Sequence, residues 1–106
     1  MTREEIKALL VVADPNIKHY FSMNSGEAYS YWEETQRLPF TGDDCHVPAD
    51  QAWRFYVHRF TKTENDTTTQ TIFDTLDTDP RTTVRYSVTF ENDTGYIHHI
   101  YECEGY

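Results

Sequence analysis

Residues 94–105, "TGYIHHIYECEG", bring His98, His99, Glu102, Cys103 and Glu104 within one short stretch. Imidazole, thiolate and carboxylate are the donor set of a zinc site, so metal chemistry is the first reading to test. In a strand, successive side chains point to opposite faces, so His98 and His99 diverge and cannot share one ion unless a bulge intervenes. Cys103 falls on the His99 face, but four residues of strand span ~13 Å, whereas zinc holds its ligands at ~2.0–2.3 Å. A metal site would have to recruit Cys45 or His46 from a distant segment, and no Cys-x-x-Cys or His-x-x-x-His spacing is present. Nucleophilic catalysis is equally poorly served. Cys45 and His46 are chain neighbours, while a thiolate–imidazolium pair usually joins separate elements. Asp43 and Asp44 in front of them would raise a thiol pKa, the wrong direction for a nucleophile. The carboxylate pairs Glu33–Glu34, Asp43–Asp44 and Glu102/Glu104 are what a solvated acidic surface carries; acid–base catalysis needs two in one cleft in different environments. The four glycines are scattered singly, without a phosphate-cradling loop or a nucleophile elbow. No catalytic, cofactor-binding or metal residue is expected, and the chain is expected not to be an enzyme.

The elements that would position these residues are legible in part. "TREE" is a capping box: the Thr2 hydroxyl accepts from the Glu5 amide, and the Glu5 side chain returns to the Thr2 amide. Ile6, Leu9, Leu10 and Ala13 follow at helical spacing, and Asp14-Pro15 ends the helix. "KHYFSM" and "AYSYWEETQ", separated by the turn composition "NSGE", predict two strands in a possible hairpin. "TGDDCHVPADQ" (41–51) is a loop, the longest candidate for an exposed functional one. "WRFYVHRFTK" (53–62) is a strand with Trp53, Phe55 and Val57 on one face and Arg54, Tyr56, His58 and Phe60 on the other. Neither face is wholly polar, which predicts a central strand or one covered by a partner subunit.

"ENDTTTQTIFDTLDTDP" opens on an Asn/Asp cap signal and closes at Asp79-Pro80, with Thr69, Ile72, Phe73 and Leu76 as a helical stripe. Threonine is a poor helix former, so packing must hold this helix, and a β-rich reading of the threonine run stays open. "VRYSVTF" alternates Val84, Tyr86, Val88 and Phe90 inward with Arg85, Ser87 and Thr89 outward; "ENDTG" is a hairpin turn, and "YIHHIYEC" returns. Tyr96, Ile97, Ile100 and Tyr101 are its expected packing residues. The order α-β-β-β-α-β-β predicts one α+β domain over 1–106, with a mostly antiparallel sheet of about five strands and two helices on one side.

Composition bounds the function further. At 106 residues there is room for one hydrophobic core. Eighteen acidic against nine basic residues give a formal net charge of −9, against direct nucleic-acid binding and against an anionic membrane surface. No stretch approaches ~20 apolar residues, so no membrane span is expected, and acids stand where a signal peptide needs bases. An intracellular chain is expected, with Cys45 and Cys103 reduced, although one bridge between them stays open. Of the eight Tyr, six Phe and two Trp, Tyr20, Phe21, Tyr29, Tyr31, Trp32, Tyr96 and Tyr101 exceed what one small sheet face needs. Aromatics in an acidic surround are what protein interfaces enrich. The candidate contacts are Asp43, Asp44, Cys45 and His46 of the loop, with Trp32, Tyr56 and His58.

"HYFSM…YSYWEE", "WRFYVHRFTK" and above all "DTGYIHHIYECEG" resemble a family of small head–tail (neck) proteins. These are encoded by tailed phages and prophages of Gram-positive bacteria and are often labelled minor capsid proteins. The element order is also similar to the tail-terminator, or tail-completion, fold. The resemblance implies a structural role: a ring subunit, possibly of a hexamer, that caps the tail tube and docks to the head connector, with neighbouring sheets paired. It implies partners (itself, tail-tube and head-connector proteins) and a place in the virion and, during assembly, the host cytoplasm. It carries no catalytic residues. Two other readings stand beside it: a small acidic inhibitor or immunity protein that masks a basic surface, and a metal-dependent protein using Cys45, His46 and His99.

Overall fold

A computed structural model describes residues 1–20, 26–39 and 51–106. Helix α1 (Arg3–Ala13) begins at the capping box, with Thr2 Oγ1 accepting from Glu5 N at 3.1 Å and Thr2 N donating to Glu5 Oε1 at 2.9 Å. It ends at Asp14, the residue before proline, whose extended backbone cannot continue a helix. Strands β1 (Lys18–His19), β2 (Ala28–Leu38) and β3 (Ala52–Thr61) follow, then helix α2 (Thr67–Thr78) and strands β4 (Thr82–Phe90) and β5 (Ile97–Gly105). The α-β-β-β-α-β-β order is therefore the one expected, and the threonine-rich run is helical. Asp66 caps α2 by accepting from both the amide and the hydroxyl of Thr69 at 2.9 Å, which offsets the weak propensity of the residues behind it.

The five strands form one sheet in the order β1-β2-β3-β5-β4, with β1 parallel to β2 and every other pairing antiparallel. Strand β3 is central, which explains why neither of its faces is polar. The expected hairpin between the first two strands does not form. β1 has only two residues and runs parallel to Tyr31–Trp32. Tyr20 turns the chain out of line at a φ of +64°, uncommon for a residue with a side chain. It is held there by its N–H, which donates a hydrogen bond to the Trp32 carbonyl (2.7 Å), its ring stacked on His19, and its hydroxyl on Glu34.

Both helices lie on one face of the sheet. Ile6 and Leu10 of α1 and Ile72 and Leu76 of α2 pack with Trp32, Phe55, Val57, Tyr101 and Cys103 in a single core. Trp32 meets Phe55 edge to face, 6.4 Å between centroids, the favoured arrangement for aromatic pairs. At the sheet's end Gly105 comes so near Met1 and Phe55 that a Cβ would lie 3.0 Å from the Met1 sulfur. The core residues of β5 are His99, Tyr101, Cys103 and Gly105; Tyr96, Ile97 and Ile100, expected to do the packing, are only half-buried. The "ENDTG" turn closes as expected, with Gly95 at φ +78° and its amide on the Glu91 carbonyl (2.8 Å).

One expectation fails along β4. Val84, Tyr86, Val88 and Phe90 do share the helix face, but only Val84 packs against the core. Tyr86, Val88 and Phe90 are 39%, 51% and 60% exposed. The reason is topological: β4 is the last strand of the sheet, and towards Phe90 it runs beyond the cover of α2. No helix among the described residues is long and apolar enough to cross a membrane.

Candidate functional site

Two surface features and one buried network carry the unusual chemistry of the described residues. The first is the β4 edge. Its inner side pairs with β5 along its whole length, from Thr82 opposite Gly105 to Phe90 opposite Ile97. No described strand pairs with its outer side. An unpaired edge is ordinarily blunted by charge, proline or a bulge. β4 has one charge, Arg85, and that residue stands opposite Glu102 of β5. On the helix side Phe73 of α2 meets the Tyr86 ring edge-on at 6.1 Å, and a shallow groove lined by Thr69, Gln70, Phe73 and Tyr86 runs beside the edge. Among the described residues the edge thus presents unpaired backbone groups and a row of exposed apolar side chains together.

The second feature is the face turned away from the helices. Tyr29 stacks on Phe60 at 4.7 Å, Phe60 on His98 at 4.2 Å, and Tyr31 on His58 at 4.6 Å; Tyr96 closes the cluster edge-on. Within it the ring nitrogens of two histidines meet, His58 Nδ1 lying 2.9 Å from His98 Nε2. The outer nitrogens face carboxylates: His58 Nε2 is 3.4 Å from Glu33 and His98 Nδ1 is 3.5 Å from Glu91. Burial holds both imidazoles below their usual pKa of 6.5, and for His98 the neighbouring His58 adds to the lowering. The face is charged further along, where Arg54 donates to Gln36 and Glu104 at 3.1 and 3.0 Å.

The network lies between the sheet and the helices. Arg59 donates to both carboxylate oxygens of Asp66 (3.0 and 3.1 Å) and to Ser30 Oγ (3.0 Å), with Asp14 Oδ2 3.6 Å away. Next to it His99 is locked as one tautomer. The Thr61 hydroxyl gives its only proton to the Thr63 carbonyl, so His99 Nε2–H must donate to Thr61 Oγ1 (3.1 Å). His99 Nδ1 then accepts from the Tyr86 hydroxyl at 2.6 Å. Burial lowers the His99 pKa, in keeping with a neutral ring. Every polar atom of the His99 ring is committed to structure.

The expected site residues separate accordingly. Asp43, Asp44, Cys45 and His46 lie outside the described residues. Trp32, offered as a contact, is 1% exposed and belongs to the core, so it presents no surface to a partner. Tyr56 is half-buried beside His58, the rings 6.2 Å apart, and His58 is in the histidine pair. His98 and His99 do point to opposite faces of the sheet. Cys103 is buried with its pKa pushed up by burial and then by Glu102, which keeps it a thiol. Among the described residues no three His, Cys, Asp or Glu side chains converge as a metal-binding group. What sequence reasoning missed was the meeting of His58 with His98, and the Arg59 network. Both follow from the β3–β5 register, which sets Phe60 against His98 and Arg59 against His99. The alternation of each strand was available, but not that register.

The sequence matches no model of a known protein family and no curated protein.

Proposed function

We propose that this chain is a non-enzymatic structural subunit of the head–tail joint of a tailed phage or prophage. In this reading it is a tail-terminator-like ring subunit that caps the tail tube and docks to the head connector. The observation that carries the reading is the β4 edge: nine residues of strand whose outer side no described strand pairs, with Tyr86, Val88 and Phe90 exposed beside it. A protein built to stay alone hides such an edge; one built to assemble adds a neighbour's strand to it, gaining backbone hydrogen bonds and apolar burial together. A ring requires a heterologous contact, so β4 meets a different surface of the next subunit, not its own copy. The "DTGYIHHIYECEG" and "WRFYVHRFTK" resemblance supports the same role. The net charge of −9 suits the wall of a DNA conduit, because it repels the duplex instead of gripping it. Such a subunit works in the host cytoplasm during assembly and then in the virion.

The rival reading, an acidic inhibitor or immunity protein, rests on the same charge and is separated by partner identity. Affinity capture with the purified chain, from a lysate in which a Gram-positive prophage has been induced, should enrich tail-tube and connector proteins. Enrichment of a basic nuclease in their place would overturn the head–tail assignment.

A further inference from the structure

We propose that the surface which β4 meets is the α1–β1 side of a second copy, so that the sheet and the helix layer of one subunit continue into the next. This rests on the ring reading and names the other half of its contact. The strand directions allow it. β1 runs with β2, while β2 and β3, β3 and β5, and β5 and β4 are antiparallel pairs. The two outermost strands, β1 and β4, therefore run in opposite directions. A copy placed beside β4 in the same orientation brings its own β1 antiparallel to it, with its helices on the same face of the joined sheet. No described strand pairs with the outer side of β1.

The helix layer continues in the same way. α1 and α2 are antiparallel: Asp14 at the end of α1 and Asp66 at the start of α2 both face Arg59, while Arg81, beyond the end of α2, bonds Glu5 in the first turn of α1. The next copy's α1 extends that alternation past α2. Arg3, Lys7 and Val11 recur every four residues along the flank of α1 that borders β1, and Thr69, Phe73 and Asp77 do so along the flank of α2 that borders β4. The rows of the sheet set their levels. Arg3 lies over Trp53, whose row runs through Gly105 to Thr82, and the Thr82 hydroxyl bonds the Leu76 carbonyl beside Asp77. Lys7 lines a groove with Trp32, whose row runs through Val57 and Tyr101 to Tyr86, the residue that meets Phe73. Between two copies in register, Arg3 comes level with Asp77 and Lys7 with Tyr86. Val11, one turn on and 37% exposed, comes level with Val88.

Charge selects a second copy in this head-to-tail sense. Among the described residues Arg3, Lys7 and Lys18 have no carboxylate partner, in a chain with eighteen acidic residues to nine basic. These unpaired cations gather on the α1–β1 side, where Glu4 is the one acid lining the groove. Asp77 on the α2–β4 side has no basic partner among the described residues either. Basic flank against acidic flank is favourable, whereas two β4 edges would set acidic flank against acidic flank.

The test is sedimentation velocity of the full chain beside Val11→Lys and Val88→Lys, each first shown to melt near the wild-type temperature. The wild type should self-associate, and each variant alone should be monomeric. Mixed, the two should form 1:1 dimers and nothing larger, because Val11→Lys keeps an intact β4 side and Val88→Lys an intact α1 side. Arg3→Glu and Asp77→Arg should each weaken wild-type association about fivefold, the upper worth of one exposed ion pair, and the two changes in one chain should restore it. Association of Val11→Lys at wild-type strength, a mixture that stays monomeric, or a wild type monomeric at every concentration would overturn this pairing. The head–tail assignment is judged separately, by the proteins captured from the induced lysate.

Discussion

Replacing Arg59 with methionine should cost more stability than any other single change in the polar network. The guanidinium is 9% exposed and serves three partners, chelating Asp66, donating to Ser30, and facing Asp14 at 3.6 Å. Methionine fills much of the same volume, so the loss comes from the carboxylates left behind and not from a cavity. Breaking one side of a buried ion pair costs ~3–5 kcal/mol. Here the lower end applies, about 3 kcal/mol, because Asp66 is 17% exposed and keeps both bonds from Thr69. Asp14 fares worse: its side chain is 7% exposed, and Oδ2 has no hydrogen-bond donor among the described residues. A domain of this size holds ~5–15 kcal/mol in total, so the variant should still fold, with a visibly lower urea midpoint by tryptophan fluorescence. Adding Asp14→Asn, which removes the stranded charge, should recover part of the loss.

The acid limb should move as well. In the wild type, burial pushes Asp66 up, but the bonds from Arg59 and Thr69 outweigh it and hold the carboxyl below its ordinary 3.8. Its stabilisation is therefore complete above 3.8 and lost as pH falls through the depressed folded value. Without Arg59 both its hydrogen bonds and its charge are gone, the depression shrinks, and acid unfolding should begin at higher pH. A loss under ~1 kcal/mol, within the range of an exposed pair, would refute the reasoning. So would an Asp14→Asn that simply adds its own cost.

Three further outcomes follow from the same geometry. His58, His98 and His99 are all held below 6.5 by burial, so stability should be intact above pH 6.5 and fall as pH drops through the folded values; melting temperatures across pH 5–8 that stay flat, or rise towards acid, would contradict this. Cys103 is buried at 0% exposure and kept a thiol, so native protein should leave it unlabelled by a thiol reagent until urea unfolds the chain; peptide mapping that finds it modified at native rates would contradict its placement. Val88→Lys and Phe90→Lys put charge on exposed β4 positions, so under the proposed ring assembly each should abolish self-association while leaving the melting temperature nearly unchanged; unaltered assembly by sedimentation velocity would contradict the placement of the interface at β4.

How far the sequence spoke depended on whether the deciding interactions were local. Thr2, Glu5 and Asp14 fix α1 within one stretch of chain, and Asp66 and Asp79 bound α2 in the same way, so both helices were legible. The pattern from Trp53 to Phe60, apolar on both faces, is compatible with a central strand or one covered by a partner subunit, and β3 is central. The parallel β1 was not legible, because it depends on the left-handed turn at Tyr20 and on pairing across to Trp32. For β4 the pattern identified the right face but not its exposure, since alternation cannot say where the helix cover stops. The histidine pair was hidden for a similar reason. Strand alternation sets His98 apart from His99 but says nothing of other strands, whereas its partner is His58, on a neighbouring strand forty residues away.

The head–tail assignment is tested most directly by negative-stain imaging of the purified chain mixed with tail tubes from an induced Gram-positive prophage. The account predicts rings, and caps of ring diameter on the tube ends, with Val88→Lys giving neither. Bare tube ends alongside dispersed monomers would contradict it.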